Sequence, residues 1–179
     1  NHKAIGLDGV PMEALKAGGE TVVNCLKEII DQIWKSADWP ADWTISELVV
    51  MPKVAGTQDC TKHRTLSLIS HVSKPLLDIL RKRLNHFVGP EIAEEQIGFV
   101  PGKGTTDAMV VMRNIIEKAG EKASLELWLM FIDYAKAFDT VKHQRLWKAL
   151  LDVGVPRHLV SIIRGLYKLA TGVVRVDDQ

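Results

Sequence analysis

The stretch FIDYAKAFDTVKH, residues 131–143, closes an apolar run, Leu127, Trp128, Leu129, Met130, Phe131 and Ile132, with a carboxylate, Asp133. A second acid, Asp139, follows six positions later, directly after Phe138. LELWLMFID is too short for an ordinary helix and apolar enough for a strand buried on both faces, so it predicts a central strand. Such a strand would deliver Asp133 to the edge of the core on a rigid support. A carboxylate there suits a divalent cation that shares its remaining shell with phosphates. It equally suits a structural acid, and spacing alone leaves both roles open. Asp139 either faces the same site or caps a helix. Its position just before TVKHQRLW favours the cap, where a carboxylate accepts backbone N–H bonds.

Outward from this stretch, hydrophobic periodicity and Gly/Pro punctuation divide the chain. VPMEALKAGGETVVNCLKEIIDQIWKS predicts a short helix, a break at Gly18-Gly19, and an amphipathic helix with Val22, Val23, Leu26, Ile29, Ile30, Ile33 and Trp34 as its stripe. ISELVVMPK is a β-branched run stopped by Pro52, and RTLSLIS alternates polar and apolar residues, which together predict a hairpin-like pair. SKPLLDILRKRLNHFV predicts a helix with Ser73 near its start and Pro75 in its first turn. Leu76, Leu77, Leu80, Leu84, Phe87 and Val88 form its stripe, and Arg81, Lys82 and Arg83 lie on or beside the exposed face. QIGFVPGKGTTDAMVVMRNIIEKAG is a loop running into a helix, with Thr105 or Thr106 as N-cap and Gly120 as terminator. Two more helices are expected, one entered at Asp139 or Thr140 and ending near Gly154, the next with Pro156 in its first turn. GVVRV begins a last strand. Helices and strands without regular alternation predict an α+β fold.

Composition bounds the function without deciding it. A length of 179 residues with 46% apolar and 25% charged residues suits one domain, or part of a larger one, and the chain does not begin with Met. Cys25 and Cys60 are far apart and belong to no CxxC, so neither a disulfide framework nor a zinc site is expected, and the expected compartment is reducing and intracellular. No secretory leader or membrane-spanning run is expected. The net charge of +1 conceals an uneven distribution: residues 1–50 carry four Lys against eight acids. Residues 51–87 carry seven Lys and Arg against two acids, and residues 142–176 seven against one. Two basic walls around an acidic middle are compatible with a polyanion, as they are with ordinary solvated helix faces.

FIDYAKAFDTVKHQRLWKAL resembles the first catalytic palm motif of reverse transcriptases from non-LTR (LINE-type) retrotransposons, and its neighbours come in the family's order. GLDGVPMEAL resembles the element before the fingers, and ISELVVMPK and HRTLSLIS the fingers strands. EEQIGFVPGKGTTDA resembles the next block, and LLDVGVPRHLVSIIRGLY the palm helices beyond. The resemblance runs from about residue 4 to Gln179. It implies a right-hand polymerase, with fingers and connecting elements over about residues 1–122 and the start of a ferredoxin-like palm over about 123–179. The implied activity is RNA-directed DNA synthesis, a nucleotidyl transfer to a primer 3′-hydroxyl.

By resemblance, Asp133 is the catalytic ligand of two Mg²⁺ (or Mn²⁺) ions, with the main-chain carbonyl of Tyr134 as a further ligand. Phe138 is the aromatic against the incoming sugar, excluding a 2′-hydroxyl. Lys53 and Arg64 grip the triphosphate of the dNTP, Arg by a bidentate fork. Lys74, Arg81, Lys82, Arg83 and Lys103 meet nucleic-acid phosphates, contacts that position a strand without reading it. GFVPGKGTT is not a Walker loop, because Gly104 follows the Gly-Lys pair. The implied partners are an RNA template, a DNA primer or nicked DNA target and a dNTP, with room for an endonuclease domain elsewhere in a parent chain, in the cytoplasm and nucleus.

The sequence departs from the family pattern in four respects. No YADD-like motif occurs in these residues, and Val176-Asp177-Asp178 lacks the aromatic-Ala lead and reads as a strand end and turn. The Gly-Gln block and the thumb have no counterpart here, and Thr65 follows Arg64 where many reverse transcriptases have proline. A lone carboxylate cannot fix two ions, so the isolated chain is expected to be inactive. The alternative is a catalytically dead remnant that binds RNA or an RNA–DNA hybrid.

Overall fold

The computed structural model describes residues 5–122 and 125–174. A short helix α1 (Met12–Ala17) breaks at Gly18 and Gly19, where Gly19 takes φ +55°, and α2 (Gly19–Ser36) follows. A positive φ suits glycine because it has no Cβ. A one-turn helix α3 (Ala41–Thr44) leads into strand β1 (Ile45–Pro52), which pairs antiparallel with β2 (His63–Leu68). Then come α4 (Lys74–Val88), α5 (Thr105–Gly120), α6 (His143–Asp152), α7 (Arg157–Leu169) and β3 (Thr171–Val174). The sheet order is β2-β1-β3, with β3 parallel to β1. This mixture of helices and a small mixed sheet is α+β. Pro52 is tolerated because β3 flanks only Ile45–Leu48 of β1; beyond that the far side of the strand has no described neighbour that needs an N–H.

The core lies where α2, α4 and α7 meet. Ile33, Leu76, Leu80, Leu159, Val160 and Ile162 are buried together with Trp39, Trp43 and Val155. Burying each such aliphatic side chain stabilises the fold by about 1.5–3 kcal/mol. Trp39 donates its indole N–H to the carbonyl of Ile162, so a ring in the link between α2 and α3 is satisfied inside the core. Both predicted stripes face this core, with Ile33, Leu76 and Leu80 fully buried and their neighbours partly so; Val23 stays exposed. The N-terminal segment docks through a small polar network. Ser70 Oγ donates to Asp8 Oδ2 and accepts from Val72 N, while Ser73 Oγ donates to the Ser70 carbonyl.

Several expectations need correction. Residues 125–132 form no strand, and their side chains are exposed, Trp128 at 86% and Phe131 at 81%. A strand exists only by pairing, and this run pairs with none of β1, β2 and β3, the strands of the described sheet. Asp133 therefore sits on irregular, exposed backbone and not at the end of a buried strand. The N-cap of α5 is Gly104, one residue before the predicted threonines, because Asp107 Oδ2 accepts the Gly104 N–H at 2.7 Å from inside the first turn. Neither Asp139 nor Thr140 enters α6, whose N-cap is Lys142. The chain first completes a separate turn, closed by Thr140 N–H to Lys136 O and Val141 N–H to Phe138 O. Pro156 is the N-cap of α7 and not within its first turn. The predicted last strand is described to Val174; its remainder, and Val176-Asp177-Asp178, lie outside the described residues. No helix among the described residues is long and apolar enough to cross a membrane.

Candidate nucleotide-binding cleft

A cleft of about 1080 Å³ opens between the β1–β2 hairpin and the turn that follows the apolar run. One wall carries Val50 and Lys53 from β1 and its end, and Cys60, Thr61, His63, Arg64, Thr65 and Ser67 from β2 and its approach. The facing wall carries Tyr134, Lys136, Ala137, Phe138 and Asp139. The hairpin holds this wall by its register, which pairs Val50 with Thr65 and Met51 with Arg64. Beyond the strands, Lys53 N–H donates to Lys62 O at 2.8 Å, so Lys53 is carried on a closed hairpin end. The facing turn is pinned by the bonds described above, with Lys136 at φ +51°.

The three residues expected to serve a nucleotide, Lys53, Arg64 and Phe138, line this one cleft, as does Tyr134, expected as a metal ligand through its carbonyl. Asp133 is exposed and adjoins Tyr134, but does not line it. The remaining basic residues are placed elsewhere. Lys74 begins α4, and Arg81 and Lys82 both pair with Asp78, at 2.7 and 2.8 Å. Hydrogen bonds from Lys82 and then Arg81 hold the Asp78 carboxyl below its ordinary value. Arg83 lies over the Trp34 ring, 4.0 Å from its centroid, a cation–π contact that the sequence did not announce. Lys103 turns inward on its own loop, donating to the carbonyls of Glu94 and Gln96.

Sequence reading missed the polar face of β2. His63, Thr65 and Ser67 line the cleft, and their alternation in HRTLSL was the available signal. Asp139 also lines the cleft, which is the alternative to capping that its spacing had left open. Phe99, in the loop before α5, was missed as well. Its ring meets Phe138 edge-to-face, with centroids 5.8 Å apart and planes at 85°. At the hairpin tip, Asp59 Oδ1 accepts from Thr61 Oγ1 at 2.7 Å and Thr61 N at 2.9 Å. These two bonds hold the Asp59 carboxyl below its ordinary value.

No group of three or more His, Cys, Asp or Glu side chains that could hold a metal ion occurs among the described residues. Asp133 and the Tyr134 carbonyl supply only part of one coordination shell. The described residues therefore do not fit a two-ion site by themselves.

Residues 51–179 match the family model described as reverse transcriptase (RNA-dependent DNA polymerase), and the chain belongs to this family. It is 24% identical over 177 residues to the transposon TX1 uncharacterized 149 kDa protein of Xenopus laevis, covering 99% of this chain and 14% of that protein. It is 26% identical over 165 residues to the retrovirus-related Pol polyprotein from type-1 retrotransposable element R2 of Nasonia vitripennis, covering 92% of this chain and 15% of that one. The R2 polyprotein of Bradysia coprophila is 28% identical over 168 residues, with 93% and 18% covered. The family match and these relatives make the chain a reverse transcriptase segment of the non-LTR, LINE type. It spans 14–18% of the length of these three relatives.

Proposed function

We propose that the chain forms the fingers and the front of the palm of an RNA-directed DNA polymerase, with fingers over about residues 1–122 and the palm from about 123. The observation that carries this reading is the shared cleft: the cations Lys53 and Arg64 on one wall face Tyr134 and Phe138 on the other. That pairing suits a deoxynucleoside triphosphate. Arg64 offers a planar fork to phosphate oxygens and Lys53 a point charge. Phe138 sets a ring where a 2′-hydroxyl would have to go, so selection against ribonucleotides is by exclusion. RNA template and DNA primer, or a nicked DNA target, would lie along the basic surface of α4, with Lys103 of the loop before α5 as a further phosphate contact.

Asp133 and the Tyr134 carbonyl would belong to the divalent-metal site of the longer polymerase, whose further carboxylates are not in this chain's described residues. For the isolated chain the consequence is binding without chemistry. The test is hybrid binding by the chain as a function of salt, with and without dNTP and Mg²⁺. Lys53→Ala and Arg64→Ala are expected to weaken the complex only when dNTP and Mg²⁺ are present. Binding that is steeply salt-sensitive but indifferent to both substitutions would remove these residues from the nucleotide site and leave a basic groove.

A further inference from the structure

The loop that carries Phe99 is built to hold that ring out of the protein. Phe99 is 93% exposed, and its backbone has φ +60°, a conformation that suits glycine and is strained for an aromatic residue. The strain is not relieved by burial. The loop around it is nevertheless firmly tied. Val100 N–H closes a turn onto Ile97 O, and Gln96 Nε2 donates to the carbonyl of Gly98, the residue just before Phe99. The Lys103 ammonium bridges the carbonyls of Glu94 and Gln96 across the base of the loop. What the ring meets is Phe138, edge-to-face at 5.8 Å, the geometry that the charge distribution of aromatic rings favours. Phe138 is itself 78% exposed on the turn over residues 136–141.

An exposed ring on a turn swings about its χ1 bond, and a ring that swings is a poor steric barrier. We infer that Phe99 is a positioning residue for Phe138: its edge contact limits the rotation of the Phe138 ring over the cleft and so sharpens discrimination between deoxynucleoside and ribonucleoside triphosphates. The inference rests on the proposed place of Phe138 beside the sugar. It also explains why a bulky residue occupies a backbone position where glycine would carry no strain. A smaller side chain at residue 99 would close the loop equally well and would not reach Phe138.

The test compares Phe99→Ala, Phe99→Tyr and Phe138→Val in the full-length polymerase that carries this segment, reading the ratio of kcat/KM for a dNTP to that for the matching rNTP. Phe99→Ala is expected to lower the ratio by about three- to tenfold, the scale of one aromatic pair, chiefly through better use of the ribonucleotide. Phe99→Tyr keeps the ring edge and is expected to keep the ratio. A contact that only stabilises the fold would lower the unfolding temperature in Phe99→Ala and leave the ratio untouched. That result, together with a lowered ratio in Phe138→Val, overturns the positioning role and spares the proposed gate. An unchanged ratio in Phe138→Val overturns the gate and the positioning role with it.

Discussion

Trp39 and Ile162 are joined by a 2.8 Å hydrogen bond from the indole N–H to a main-chain carbonyl inside α7. The bond ties the segment that launches β1 to the helix that launches β3, so it helps to hold the two parallel strands in register. Trp39→Phe keeps an aromatic ring and removes the donor. It is expected to destabilise the chain by about 1–2 kcal/mol, measured by denaturant unfolding, from the lost bond and a small void. A change within experimental error would mean that packing alone holds the junction.

Gly165 lets α7 approach the end of α2. A Cβ at this position would lie 2.3 Å from the carbonyl oxygen of Ala37 and 3.2 Å from Trp39 Cδ1. Alanine is the better helix former by about 1 kcal/mol, but here the clash is with backbone and the helices must separate. Gly165→Ala is therefore expected to be net destabilising, by about 1–3 kcal/mol, and to raise amide exchange in both helices. A stabilised variant would show that this approach is not needed.

The hairpin tip is expected to respond to acid through Asp59. Its carboxyl is held below its ordinary value by the side-chain bond from Thr61 and then by the bond from the Thr61 amide. The folded form thus favours the ionised state. The contribution is fully present above the ordinary value of 3.8 and is lost as the pH falls through the lowered one. The Thr61 amide resonance should titrate over that acidic window, and Asp59→Asn, which keeps an acceptor, should abolish the titration. Persistence of the same titration in Asp59→Asn would assign it to another group.

The isolated chain should fail to extend a primer and should associate with itself as concentration rises. The first follows from the incomplete carboxylate set among the described residues, the second from the exposed run Leu127, Trp128, Leu129, Met130, Phe131 and Ile132. Primer extension with dNTP and Mg²⁺, abolished by Asp133→Ala, would refute the first claim. A cooperative, concentration-independent monomer by sedimentation and thermal unfolding would refute the second.

The helices were legible because their determinants are local. The stripes of α2 and α4, the Gly18-Gly19 break and the Gly120 end follow from side-chain spacing and backbone freedom within a few residues. The β1–β2 pair was legible because a β-branched run and an alternating polar/apolar run follow one another in sequence, with Pro52 marking the end of the first. Helix starts were less so. The choice between Gly104 and the threonines turned on which side chain, here Asp107, reaches the orphan N–H. The choice at α6 turned on a separate turn around Phe138.

The sequence alone was enough for the family, through motifs in a set order, and it marked Lys53, Arg64 and Phe138 as candidates, which the structure brings to one cleft. It also determined which residues are apolar. Which apolar residues are covered was settled by the tertiary structure, because burial belongs to a pair of surfaces and the apolar side chains over residues 127–132 stay exposed. The same holds for the meeting of Phe99 with Phe138 and of Arg83 with Trp34. Each joins segments distant in the chain, and no local periodicity encodes a contact that exists only once the loops and helices have been brought together.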